Sequence, residues 1–277
     1  MSDQPAVTNA VTNTAQDEVR ETTSPALPTF ELDGEQVPFQ AGQSIFQAAL
    51  VAGKYIPYLC SHPEFPPHGS CRVCTVKVNG RTQASCTTPP REGDVVESNT
   101  DELNGLRKSL VQLLFTEGNH FCPSCEASGN CTLQAVAYDL GMTTAHYSPL
   151  FPDRPVDASH PEVLLDFNRC ILCELCVRAS ALVDGKHVFS LSDRGIKKHL
   201  VVNAESGRLA DTTLSVDDKA MSVCPVGVIL RKRHGFQVPI GERKYDARSI
   251  RQSVTGAPKL GTEQSDDLNT PPRERLP

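Results

Sequence analysis

The chain has 277 residues, 39% of them hydrophobic, and 27 Lys and Arg against 33 Asp and Glu, a formal net charge of -6. This is the composition of a globular protein, and its sign disfavours a nucleic-acid partner. No apolar run approaches the roughly 20 residues of a membrane-spanning helix, so membrane insertion is not expected.

The N-terminus lacks the basic start and apolar core of a secretory signal. Residues 1–28 hold Arg20 against Asp3, Asp17, Glu18 and Glu21, a poor match to a mitochondrial presequence, and a cytoplasmic location is expected. The same stretch is rich in Thr, Ala, Ser, Gln and Asn without an apolar face, and is expected to be a disordered leader.

From Thr29 the pattern is a hairpin, with Thr29-Phe30-Glu31-Leu32, the turn Asp33-Gly34, and the return Gln36-Val37-Pro38-Phe39. Ser44 and Gln47 have the spacing of a capping box opening a helix through Ile45, Ala48, Ala49 and Ala52. Four cysteines follow, interleaved with the alternating strand Thr75–Val78 and its Asn79-Gly80 turn. Residues 29–100 therefore read as a ferredoxin-type β-grasp.

Apolar residues Leu103, Leu106, Leu110, Leu113 and Leu114 predict a helix over 101–117 with one buried stripe. A second helix is predicted through Leu133, Val136, Ala137 and Leu140, ending at Gly141. This makes 101–150 a small helical domain. A proline-containing linker spans about 148–161, residues 151–235 read as a 4Fe-4S ferredoxin-like domain, and 236–277 read as a tail that is polar and Pro-rich from about 252. The fold class expected is α+β.

Eleven cysteines, an odd number with several Cys-x-x-Cys pairs and no export signal, point to metal ligation rather than disulfides. Cys60, Cys71, Cys74 and Cys86 give the three-plus-one logic of a plant-type 2Fe-2S site, with a first gap of ten residues where four is usual. Gly69 and Ser70 suit the tight loop whose amides must approach the sulfurs. Cys170, Cys173 and Cys176, with Cys224-Pro225 far downstream, suit a 4Fe-4S cubane. A fifth cysteine, expected in two-cluster ferredoxins, is replaced here by Ser180. The middle set, Cys122, Cys125 and Cys131, has only three thiolates, and His120 beside it is the candidate fourth ligand of another 4Fe-4S cluster.

These twelve side chains use every cysteine and leave none for a nucleophile. No Gly-x-Gly-x-x-Gly or Walker-type loop occurs, so a nucleotide or flavin site is expected on a partner chain only. The chain reads as an electron conductor without a catalytic site of its own. The bland alternative is a zinc-stabilised scaffold, although zinc sites usually pair two Cys-x-x-Cys knuckles and the first set has one.

The order of one 2Fe-2S site, a histidine-plus-three-cysteine cubane and an all-cysteine cubane resembles the N-terminal part of the complex I large iron-sulfur subunit, iron-only hydrogenases and NAD-linked formate dehydrogenases. The residues Gly69-Ser70-Cys71-Arg72-Val73-Cys74, Glu117-Gly118-Asn119-His120-Phe121-Cys122-Pro123-Ser124-Cys125, Cys224-Pro225-Val226-Gly227 and Pro239-Ile240-Gly241-Glu242-Arg243-Lys244-Tyr245 carry a closer likeness. They resemble the small (gamma or U) diaphorase subunits of bacterial NAD-reducing nickel-iron hydrogenases. A single residue, Phe121, separates His120 from the first cysteine, where the complex I pattern has three.

This resemblance implies a complex in which a diaphorase subunit holding FMN and NAD exchanges hydride, this chain relays single electrons, and hydrogenase small and large subunits handle hydrogen. A formate dehydrogenase or complex I-like oxidoreductase is the alternative setting. The basic stretch Arg231, Lys232, Arg233, Arg243, Lys244, Arg248 and Arg251 is a candidate docking surface for an acidic subunit, or simply a solvated face.

Overall fold

The computed structural model describes residues 27–151 and 153–256. Residues 1–26 of the predicted leader and 257–277 of the predicted tail lie outside the described residues.

The first lobe is built on local signals. Strands β1 (Thr29–Leu32) and β2 (Glu35–Pro38) pair antiparallel around Asp33 and Gly34, both at positive φ, as a two-residue hairpin turn requires. Helix α1 (Ile45–Val51) opens on the predicted capping box. Ser44 Oγ accepts from the Gln47 amide at 3.3 Å, and Gln47 Oε1 accepts from the Ser44 amide at 2.9 Å. Such a cap stabilises by about 1 kcal/mol.

Strands β3 (Thr75–Val78) and β4 (Arg81–Ala84) turn at Asn79-Gly80, and β5 (Val95–Glu97) runs parallel to β1 and antiparallel to β3. The resulting five-stranded sheet has the order β2-β1-β5-β3-β4, and Ile45, Phe46, Ala48 and Ala49 of α1 pack beneath it with Phe30, Val37, Val76 and Val96.

Helix α2 (Asp101–Glu117) is capped by Thr100 and carries Asp101 and Glu102 in its first turn, where acids favour the helix dipole. Its buried side differs from the leucine stripe read in the sequence. Leu106 is 43% and Leu113 51% exposed, whereas Leu103, Arg107 and Val111 face inward. The reason is Arg107, which is 1% exposed and finds acceptors in the interior that no hydropathy pattern reveals.

Helix α3 (Thr132–Asp139) ends before Gly141, at positive φ. The segment expected to be a linker contains β6 (Val156–Asp157), which pairs with β7 (Val163–Asp166). Helix α4 (Leu175–Leu182), the hairpin of β8 (Phe189–Ser192) and β9 (His199–Val202), and the short α5 (Lys219–Ser222) complete the third lobe.

Strand β10 (Ile229–Arg231) pairs antiparallel with β7, Ile229 opposite Leu165, so the strand leading away from Cys224 lies beside the one leading to Cys170. Helix α6 (Ile250–Thr255) continues ordered structure into the segment read as a tail. Ile250 is buried, and Arg251 pairs with Asp139 of α3.

Two apolar cores result among the described residues. One fills the five-stranded sheet and α1; the other runs through α2 to α6 and takes in Leu59, Cys60, Phe65 and Val73 from the first cysteine loop. Tyr58 packs against both. The first cysteine set thus sits at the seam between the cores.

Candidate iron-sulfur centres

At that seam the four sulfurs of the first set fall into two hydrogen-bonded pairs, Cys60 with Cys71 and Cys74 with Cys86. The Cys71 amide lies 3.4 Å from Cys60 Sγ. The hydrogen bond from the Cys71 thiol, helped by the Cys71 and Ser70 amides, holds Cys60 down at about 5 against the opposing effect of burial. Cys71 is pushed well above the usual thiol range by the same bond and by burial. The Cys86 thiol likewise draws Cys74 down to about 7, and Cys86 rises in return.

The loop conformation supplies the donors. Gly69, at φ 76°, presents its amide to Cys86, and a Cβ there would meet Thr87 Cγ2 at 3.0 Å. Arg72, between Cys71 and Cys74, takes a left-handed φ of 59°, and the Val73 amide then faces Cys71. Small residues were the visible sequence signal for this loop. The left-handed arginine was not.

Cys170, Cys173, Cys176 and Cys224 all border one small apolar cavity of about 10 Å³, closed by Leu191 and Leu200 of the β8–β9 hairpin. Leu172 and Glu174 are both left-handed, at φ 54° and 60°, which curls the loop around the sulfurs. Backbone amides turn inward, from Leu172 to Cys170, Leu175 to Cys173, Val177 to Cys176, and Val226, Val228 and Ile229 to Cys224. Burial nonetheless pushes all four thiols up. A bound cation that draws off the protons reverses that preference. Ser180, where a fifth cysteine would stand, caps backbone instead, its Oγ accepting from the Val188 amide at 2.8 Å.

The middle set begins where α2 ends. Cys122 and Cys125 lie on one tight turn, Cys131 is the N-cap of α3, and Cys131 Sγ lies 3.5 Å from the carbonyl of Pro225, next to Cys224. His120, Cys122, Cys131 and Cys224 line a cavity of about 990 Å³. Its volume far exceeds what four ligands enclose, because it extends beneath residues 230–246. His120 packs on Phe115, ring centroids 5.3 Å apart. Its Nε2 is buried with no hydrogen-bond partner among the described residues. Burial, with Arg169 adding, holds the imidazole neutral by lowering it to about 4. A buried neutral imidazole with an unpaired nitrogen is the state that ligates a metal.

Two arginines that sequence reasoning missed stitch the three sites together. Arg178 donates to the carbonyls of Cys60 at 2.6 Å and Pro66 at 2.8 Å, and approaches that of Cys173 at 3.5 Å. Arg169 pairs with Asp166 at 2.9 Å and Glu126 at 2.8 Å, lies 3.5 Å from Cys125 Sγ, and immediately precedes Cys170. The all-cysteine set is thus tied by one arginine to each of the other two. Isolated arginines carry no motif that would have announced this.

At least three of the seven basic residues of the stretch 231–251 are paired within the chain. Lys232 donates to the carbonyls of Ala158 and His160, Arg243 pairs with Asp246, and Arg251 with Asp139. No helix among the described residues is long and apolar enough to cross a membrane.

Three family models match successive parts of the chain. Residues 28–101 match the 2Fe-2S iron-sulfur cluster binding domain, residues 107–146 the NADH-ubiquinone oxidoreductase-G iron-sulfur binding region, and residues 163–230 the 4Fe-4S single cluster domain. The gamma subunit of the NAD-reducing hydrogenase HoxS of Cupriavidus necator is 43% identical over 222 residues, covering 79% of this chain and 94% of that protein. The G subunit of the NADH-quinone oxidoreductase of Escherichia coli is 30% identical over 261 residues, and there the match covers 90% of this chain but only 27% of the relative.

A crystal structure of an NAD+-reducing NiFe-hydrogenase in the H2-reduced state contains a chain 48% identical to this one. It superposes with a TM-score of 0.80 and covers 88% of this chain and 99% of its own length. With its 2Fe-2S and 4Fe-4S binding domains in this order, the chain belongs to the family of gamma subunits of NAD-reducing hydrogenases.

Proposed function

We propose that Cys60, Cys71, Cys74 and Cys86 hold one 2Fe-2S cluster, His120, Cys122, Cys125 and Cys131 one 4Fe-4S cluster, and Cys170, Cys173, Cys176 and Cys224 a second. The chain is the electron-relay subunit of an NAD-reducing hydrogenase. Residues 29–100, 101–150 and 151–235 serve as the three cluster lobes. The observation that carries this reading is the continuity of the three sites through Arg178 and Arg169.

Bound there, the clusters supply one-electron redox chemistry, which a flavin must couple to two-electron hydride transfer. The residues of this chain fix the spacing, exclude water and set the charge around each site. The two pairs of the first set suit two tetrahedral irons, each taking two thiolates. Inward amides at Cys224 and Cys60 stabilise sulfur charge that burial alone would oppose. A neutral His120 in place of a fourth thiolate leaves its site one negative charge smaller, which favours the reduced form.

The partners in this reading are a flavin- and NAD-binding diaphorase subunit and the hydrogenase small and large subunits, and the assembly is cytoplasmic. The test is iron, acid-labile sulfide and zinc per chain on anaerobically purified protein. About ten irons and ten sulfides, summed over one 2Fe-2S and two 4Fe-4S clusters, are expected. About six of each would remove the histidine-ligated cluster, and stoichiometric zinc in place of iron would end the electron-relay reading. Identification of the co-purifying subunits separates a hydrogenase from a formate dehydrogenase.

A further inference from the structure

Arg107 of α2 is buried to 1% exposure, and its guanidinium is held by three backbone carbonyls and one amide oxygen. Nε donates to Val73 O at 3.1 Å, Nη2 to Thr75 O at 2.7 Å, and Nη1 to Ser98 O at 2.5 Å and Asn104 Oδ1 at 2.9 Å. None of these acceptors is a carboxylate. A buried cation without a counter-charge is costly to keep out of water, so proteins rarely hold one without a compensating anion.

The nearby acid, Asp33, forms no hydrogen bond or ion pair with the guanidinium among the described residues. Its carboxylate accepts from the Ser98 amide and hydroxyl and from the Asn99 amide. Val73 and Thr75, which accept from the guanidinium, flank Cys74. Burial pushes the Arg107 guanidinium down from its usual range, and attraction to Cys74 opposes that push.

We propose that Arg107 is a positioning residue for the 2Fe-2S centre, clamping the Cys71–Cys74 loop from α2 and placing a fixed buried cation beside Cys74 that raises the centre's reduction potential. The inference rests on assigning Cys60, Cys71, Cys74 and Cys86 to that cluster. Two ferric ions, two sulfides and four thiolates sum to two negative charges, and reduction adds a third. A guanidinium fixed nearby favours the more negative form, and its interior position shields the effect from added salt.

The same side chain ties two parts of the fold together, because α2 follows the β-grasp lobe yet reaches back into the ligand loop. A structural clasp alone would need only the hydrogen bonds. A potential-setting residue needs the charge, and the two roles separate by substitution.

The experiment is an anaerobic, EPR-monitored redox titration of the full chain carrying its clusters, comparing wild type with Arg107→Met, Arg107→Gln and Arg107→Lys at low and high salt. We expect the 2Fe-2S midpoint to move to more negative potential in the Met and Gln variants and to stay near the wild-type value in the Lys variant. Both cubane midpoints should be unchanged in all three, and the shift should be the same at both salt concentrations.

If Arg107→Met fails to assemble its cluster, the Gln and Lys variants decide the matter. Both keep donors towards the carbonyls and only one keeps the charge, so equal midpoints in the two would overturn the proposal. A wild-type midpoint in Arg107→Met with the cluster in place would overturn it as well. A wild-type chain lacking the two-iron EPR signal would overturn the cluster assignment on which it stands, a failure distinguishable from the others before any variant is made.

Discussion

Gly118 and His120 are in steric register, since a Cβ built on Gly118 would sit 2.4 Å from His120 Nε2 and 2.8 Å from Cδ2. Gly118 caps α2 in an extended conformation open to any residue, so its smallness is required by the imidazole and not by the backbone. Gly118→Ala should therefore push the ring away from the cavity it shares with Cys122 and Cys131. We predict a loss of about four irons and four sulfides per chain, with the 2Fe-2S EPR signal retained. Full metal content in this variant would mean that His120 does not ligate.

Exchanging His120 for a thiolate tests the same ligand electronically. His120→Cys adds one negative charge to the site, and the midpoint of that cubane should move to more negative potential while the iron count is held. Potentiometric EPR resolves the two cubanes if only one of them shifts. A shift in neither would place the histidine outside the ligand set.

The hairpins and capping box were legible because each rests on a few adjacent residues, Asp33-Gly34, Asn79-Gly80 and Ser44 with Gln47, whose conformational preferences are local. The cysteine sets were legible as spacings. Their links to one another were not, because they run through Arg178 and Arg169, single side chains that reach groups more than forty residues away in the chain. The buried side of α2 was misread for a related reason. Arg107 is polar, and only the carbonyls of Val73, Thr75 and Ser98 make its burial tolerable, whereas Leu106 and Leu113 look like core and remain exposed.

Arg178 offers a test of the seam between the first and third sites. Its guanidinium satisfies the carbonyls of Cys60 and Pro66, and its charge lies over Phe65 at 5.8 Å from the ring centroid. Removing it by Arg178→Ala leaves those carbonyls short of a donor, at a cost of about 1–3 kcal/mol. The loss of visible cluster absorption should then occur at lower denaturant concentration than in wild type. An unchanged midpoint would show that the loop is held by its apolar contacts alone.

The C-terminal helix provides the last prediction. Arg251 donates to both carboxylate oxygens of Asp139 at 3.1 Å and lies over the Tyr55 ring at 5.1 Å, while Ile250 is buried in the larger core. The Asp139 side chain is only 7% exposed, so Arg251→Ala leaves a nearly buried carboxylate without its partner. Because the arginine itself is half open to solvent, we expect a loss of about 1 kcal/mol, a value typical of a partly screened pair. That is enough to raise local opening of α6 about fivefold, since about 1.4 kcal/mol corresponds to tenfold in an equilibrium constant. Limited proteolysis should then cleave within residues 247–256 several times faster than in wild type, with the rest of the chain and its clusters intact. Cleavage at the wild-type rate would mean that Ile250 alone secures the helix.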